Sequence, residues 1–137
     1  MIEHQLPSNY RVSLKALIRD NEGRILLVKE GSDQWGLPGG GPDHGETVDE
    51  GLRRELREEI GAEIASRSEL PVLVRPFYVK AKNRYALWLV YEVTLAGPAR
   101  TTEHTQAVQY WDKTKLTKAD IDDIERPAIE KLLKLPQ

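Results

Sequence analysis

A run of glycines leads straight into a capped helix crowded with glutamate, and no other stretch constrains the chain as tightly. The residues read Leu37-Pro38-Gly39-Gly40-Gly41, then Gly45-Glu46-Thr47, then Arg54-Glu55-Leu56-Arg57-Glu58-Glu59-Ile60-Gly61. Thr47 followed three residues later by Glu50 is a capping box with Thr47 as N-cap, and Gly61 is a C-terminal stop. At about 100° per residue, Val48, Leu52, Leu56 and Ile60 form an apolar stripe that must face a core. Glu55, Glu58 and Glu59 share an adjoining arc of about 100°. Gly51 falls inside that arc one turn before Glu55, where its missing side chain is expected to leave room for a cation and a phosphate. Arg54 borders the arc, and Arg53 and Arg57 lie on the far, solvated side.

Like charges three or four positions apart on a helix are destabilising by about 0.2–0.5 kcal/mol per pair. Seven acids and three bases lie between Glu46 and Glu63, a net charge of −4, whereas the entire chain carries −2. A solvated helix laced with ion pairs accounts for Arg54 with Glu58 but not for Glu55 with Glu59. A divalent cation compensates the carboxylates together. Mg2+ and Mn2+ take oxygen ligands, which carboxylates and the open carbonyls of a glycine loop supply. Cations held this way belong to phosphate chemistry.

The same residues resemble the Nudix box. Gly40 opens it, Glu46 follows after five residues, Arg54-Glu55 after seven more, and Leu56, Glu58, Glu59 and Gly61 fall in register. Ala62 stands at the last aliphatic position, smaller than usual. Trp35-Gly36-Leu37-Pro38-Gly39 is similar to the family's lead-in. The resemblance implies an α+β fold, a Nudix-like α/β/α sandwich with a mixed sheet between helices. It also implies a Mg2+-dependent hydrolase (Mn2+ as substitute) of the diphosphate linkage in a nucleoside diphosphate joined to another moiety. A (d)NTP, ADP-ribose or a dinucleoside polyphosphate fits that description. Glu55, Glu58 and Glu59 would hold the metal with the Gly40 carbonyl, and Glu46 with Arg54 would form a supporting ion pair. The general base varies within the family. Glu55 or Glu59 is one choice, and Glu103, in the loop before Val108-Gln109-Tyr110-Trp111, is another. The alternative is a Nudix-fold module that binds nucleotide without cleaving it. Such modules usually lose box glutamates, and all are present here.

The rest of the chain fits one domain over residues 1–137. Hydrophobic residues make up 39% and charged residues 31%, so a core and a solvated surface are both available. No basic run marks a nucleic-acid binder. With no cysteine, thiolate zinc sites, thiol nucleophiles and disulfides are excluded. Met1-Ile2-Glu3-His4-Gln5 has neither the charge nor the apolar run of a signal peptide, and the longest apolar stretch, Ala86 to Tyr91, is too short to span a membrane. A cytoplasmic protein with a small nucleotide-type substrate is expected, and a homodimer agrees with family habit. Arg11 to Arg19 alternates as a strand with Val12, Leu14, Ala16 and Ile18 on one face, and a turn at Asp20 to Gly23 should return it as a hairpin with Arg24 to Lys29. Val72 to Val79 and Tyr85 to Leu95 read as strands, the second central, with Ala107 to Trp111 as another. Lys118 to Leu135 reads as mostly helical, with Pro127 breaking it or starting a new helix.

Candidate substrate contacts follow from residue chemistry. Gly39 and Gly41 offer backbone groups to phosphate, and His44 stands between the glycines and the helix. Arg11, Arg75 and Arg84 suit outer phosphates. Tyr78, Tyr85, Phe77 and Trp88 are able to stack on a base, although core packing is the ordinary role of each. His104 and the acids Asp120, Asp122, Asp123 and Glu125 read as loop and helix-start residues.

Overall fold

The computed structural model describes residues 9–136, so His4 and the opening Met1–Gln5 lie outside the described residues. The strand β1 (Tyr10–Ile18) alternates as its sequence requires. Leu14, Ala16 and Ile18 enter one core and Leu17 enters another on the opposite face. Next come β2 (Ile25–Lys29), the two-residue strands β3 (Trp35–Gly36) and β4 (Gly39–Gly40), α1 (Val48–Ile60), β5 (Ile64–Arg67), β6 (Leu73–Val79), β7 (Arg84–Leu95), β8 (Ala107–Trp111) and α2 (Arg126–Leu133). The apolar strand β7 is central. It runs parallel to β1 over Tyr85–Val93 and antiparallel to both β6 and β5 along its other edge. The β1–β7 pairing is parallel, so it needs a long crossover, and α1 lies within it.

Two apolar clusters sandwich this mixed sheet. Leu52, Leu56 and Ile60 of α1 pack with Leu14, Ala16, Tyr91 and Val93 on one face. Ala128, Ile129 and Leu132 of α2 pack with Leu17, Trp88 and Val90 on the other. Helix, mixed sheet and helix form the expected α/β/α arrangement. Among the described residues no helix is long and apolar enough to cross a membrane.

Two expectations are corrected. The β1–β2 hairpin stops after a single bridge, Arg19 with Ile25. The free edge of β1 is taken by β4, with Leu14 opposite Gly40 and Lys15 opposite Gly39. The strand β2 therefore leaves for a second, three-stranded sheet in the order β3-β2-β8. The span Lys118 to Leu135 is helical only from Arg126 to Leu133. Before it come a 3-10 turn at Lys115–Lys118 and an extended stretch where Ile121 bridges Trp35. Pro127 sits in the first turn, where its missing N–H has no intrahelical acceptor to lose, so it starts the helix.

Candidate active site

The ends of α1 are set as the sequence dictates. Glu50 N–H donates to the Thr47 hydroxyl at 3.1 Å, and the Glu50 carboxylate accepts from Thr47 N–H at 2.9 Å. Gly61 adopts φ 60° and ends the helix. The glycine loop is fixed from both sides. Lys15 Nζ donates to the carbonyls of Leu37 (3.5 Å) and Gly39 (3.2 Å). Glu59 Oε1 accepts from Gly39 N–H at 3.0 Å, and Glu125 Oε1 from Leu37 N–H at 3.0 Å. Gly39 has φ 125°, and a Cβ there would lie 2.0 Å from the Leu14 carbonyl oxygen, so only glycine allows β4 to join β1. The Glu55 carboxylate lies flat against Gly40, where a Cβ would stand 2.8 Å from Oε2.

The three box carboxylates differ in environment. Glu59 is 1% exposed, and its Oε2 is buried with no hydrogen-bond partner. Burial, and then a hydrogen bond shared with Glu55, push its pKa up to about 9, against the lowering effect of Gly39 N–H and Lys15. Near neutral pH Glu59 therefore retains a proton. The Glu55 side chain is 13% exposed and that of Glu58 43%. Arg54 joins them to the loop. It grips Glu46 through two nitrogens at 2.7 and 3.0 Å, donates to the Gly41 carbonyl at 3.1 Å, and reaches Glu55 at 3.1 Å and Glu58 at 3.3 Å. The guanidinium holds the Glu46 carboxyl below its ordinary range.

The remaining residues named from sequence fall in four places. Arg11 and Gly41 touch, since a Cβ on Gly41 would meet the guanidinium at 2.6 Å. Both line a cavity of about 470 Å3 with Gly40, Phe77, Trp88 and Glu125. Glu103 (87% exposed) and His104 share an open depression with Glu58, Arg57 and Arg100. His44 is exposed in the loop before α1. Tyr78 and Tyr85 stand apart from this cavity. They pair across β6 and β7, whereas Phe77 pairs with Ala86 and Arg75 with Trp88. Neighbouring strand residues point to opposite faces, so the tyrosine rings, 5.1 Å apart, lie across the sheet from the cavity. The space expected at Gly51 is also corrected. A Cβ there would meet Leu14, Glu46 and Pro42 at 3.1 to 3.4 Å, so the missing side chain admits the loop and not a ligand.

Sequence reasoning missed four residues of this neighbourhood. Lys15 fell within the Arg11 to Arg19 strand, Glu125 read as a helix-start acid, and Thr102 and Thr105 were not singled out. Burial pushes the Glu125 carboxyl up, with Lys15 opposing it. Glu125 meets Leu37 across 88 residues of chain, and no local pattern reports that contact.

The donor set is all oxygen, as a hard divalent cation requires. Glu59 Oε2, which receives no donor from the protein, and the Glu55 carboxylate, held against Gly40 by Arg54, are oxygen ligands within reach of the Gly40 backbone. Among the described residues no three acidic or histidine side chains stand close enough to enclose a metal on their own. Arg54 draws Glu58 toward Glu46, and any cation here would share its shell with carbonyl, water and phosphate oxygens.

The chain is similar to known proteins in sequence and in fold. The NUDIX domain pattern matches residues 9–132. A nucleoside triphosphatase NudI from Enterobacter sp. (strain 638) is 32% identical over 123 residues, covering 80% of this chain and 87% of that one. The crystal structure of a MutT NUDIX hydrolase from Burkholderia pseudomallei is similar with a TM-score of 0.74 at 26% identity, covering 90% of this chain and 98% of that one. A NUDIX hydrolase from Nitrosomonas europaea shares the fold, with a TM-score of 0.77 at 16% identity over 90% of this chain and 88% of its own. A complete glutamate box on α1, set against the glycine strand β4 in this fold, together with these matches, shows that the chain belongs to the NUDIX family and is a Nudix pyrophosphohydrolase.

Proposed function

We propose that the chain hydrolyses a diphosphate linkage of a nucleoside triphosphate, with Mg2+ held by Glu55, Glu59 and the Gly40 carbonyl and with Glu58 at its margin. The buried Glu59 carboxyl beside Glu55 and Gly40 carries the reading: Glu59 Oε2 receives no donor from the protein, and a divalent cation would take the place of the proton that Glu59 retains there. The nucleoside triphosphate class is supported by the nucleoside triphosphatase identity of the Enterobacter relative. Held by these residues, a divalent cation would supply charge neutralisation of the diphosphate and acidification of the attacking water.

The protein's own groups do the rest. Arg54 holds Glu46 and orients Glu55 and Glu58, and the Gly39 amide fixes one oxygen of Glu59. Arg11, beside Gly41, faces the phosphate end of the cavity. Phe77 and Trp88 wall its apolar part, and Glu125 offers a hydrogen-bonding edge to the base. Water attacks one phosphorus as the bridging P–O bond breaks, and its proton passes to a carboxylate, Glu58 or Glu103. The leaving phosphate departs with the bridging oxygen. Arg11, Lys82 and Arg84 on the cavity wall suit the phosphates of a small free nucleotide of the cytoplasm.

The test is a panel of nucleoside triphosphates, ADP-ribose and dinucleoside polyphosphates with Mg2+. We expect pyrophosphate release from nucleoside triphosphates, reduced about 100-fold or more by Glu59→Gln. Full activity in Glu59→Gln, or no cleavage of any panel member by the native chain, overturns the proposal.

A further inference from the structure

The glutamates assigned to metal occupy the weakest part of α1. The helix ends at Ile60, so Glu58 and Glu59 lie in its last turn. The last four carbonyls of a helix have no intrahelical donor, and the negative end of the helix dipole disfavours carboxylates there. All four carbonyls nevertheless have partners. Arg57 C=O accepts from Gly61 N–H (3.1 Å) and Ile60 C=O from Arg100 N–H (2.9 Å). Glu58 C=O accepts from the Thr102 hydroxyl, and Glu59 C=O from the Thr105 hydroxyl at 2.7 Å. Three of the four donors thus come from the segment between β7 and β8.

Each hydroxyl acts twice. Having given its proton to the helix, the oxygen accepts from the loop's own backbone: Thr102 Oγ1 from His104 N–H (3.0 Å) and Thr105 Oγ1 from Thr102 N–H (3.1 Å). Thr105 is 7% exposed, and it and Glu59 are the two buried polar residues among the described residues. Between the threonines stand Glu103 and His104, which share the depression with Glu58.

We infer that Thr102 and Thr105 are positioning residues, a strap that holds the last turn of α1 so that the Glu58 and Glu59 carboxylates, and Glu103 beside them, keep the spacing a divalent cation and its substrate need. The inference rests on the metal reading above. A valine at 105 keeps the shape of threonine but removes both hydrogen bonds, leaving Glu59 C=O buried without a donor.

The experiment measures Mn2+ binding to the nucleotide-free chain, by the electron paramagnetic resonance of free Mn2+, well below the unfolding temperature. Thr105→Val is expected to raise the Mn2+ dissociation constant about tenfold, the lower end of what loss of an outer partner of a metal ligand produces, while Thr105→Ser stays within about twofold of wild type. Thr102→Val, at a half-buried and more tolerant position, should weaken Mn2+ binding in the same direction. Thr105→Val with a lower unfolding temperature but wild-type Mn2+ affinity shows a scaffold role alone and overturns the inference. Serine behaving like valine also overturns it. A wild-type chain that binds no Mn2+ defeats the metal reading itself, a distinct failure.

Discussion

Glu59→Gln in metal-free protein separates a metal carboxylate from an ordinary buried acid. The Glu59 carboxyl has a pKa near 4.5 when the chain is unfolded, and burial with the shared Glu55 hydrogen bond raises it to about 9 in the fold. The folded state therefore binds this proton more tightly. The stabilisation is complete below the unfolded value and is lost as pH rises toward the folded one. In that window the slope is about 1.4 kcal/mol per pH unit, or about 2.7 kcal/mol between about pH 5.5 and 7.5. Glutamine does not titrate, its oxygen still accepts from Gly39 N–H, and its amide donates toward Glu55. In urea titrations with chelator, the wild-type midpoint should fall by roughly 1–3 M relative to the variant over that pH range, for a urea dependence of about 1–3 kcal/mol per M. At the upper pH the variant should equal or exceed wild type in stability while losing activity. Parallel midpoint curves for the two proteins would refute the argument that Glu59 stays protonated in the empty fold.

Arg54→Lys keeps the charge but loses the fork that grips Glu46 while reaching Glu55 and Glu58. We expect kcat/KM to fall about 10- to 100-fold in initial-rate assays, and retention of the native value would contradict the orienting role. Between Glu58→Gln and Glu103→Gln, the variant that removes the general base should lose about 100- to 10,000-fold in kcat and the acidic limb of its pH profile. If both keep that limb, the proton goes elsewhere. Glu125→Gln preserves the acceptor for Leu37 N–H but alters the edge offered to the base. The ratio of KM values among the four nucleoside triphosphates should shift about tenfold with kcat little changed. Unchanged ratios would remove Glu125 from base recognition.

Much of the fold was legible because its signals are local. The capping box, the apolar stripe and the Gly61 stop lie within one stretch of chain, and each appears at its expected residue. The strand β7 revealed its central place by being apolar on both faces. The hairpin expectation failed because a turn signal at Asp20 to Gly23 reports the reversal of the chain but not whether the neighbouring edge is free. That edge goes to Gly39-Gly40, a competitor with no strand-like residues. That Tyr78 and Tyr85 lie away from the cavity was not legible, because composition shows an aromatic ring, while register decides which face of the sheet it occupies.

The sequence by itself determined the chemical class, since box residues spaced to fall on one side of a helix need only helical geometry to gather. Tertiary structure decided the state of each group. It buried Glu59 against Gly39 and left one oxygen unpartnered, brought Glu125 to the loop at Leu37, and closed the end of α1 with Thr102 and Thr105. Burial and long-range hydrogen bonds set those properties, and both depend on segments distant in the chain that only folding places in contact.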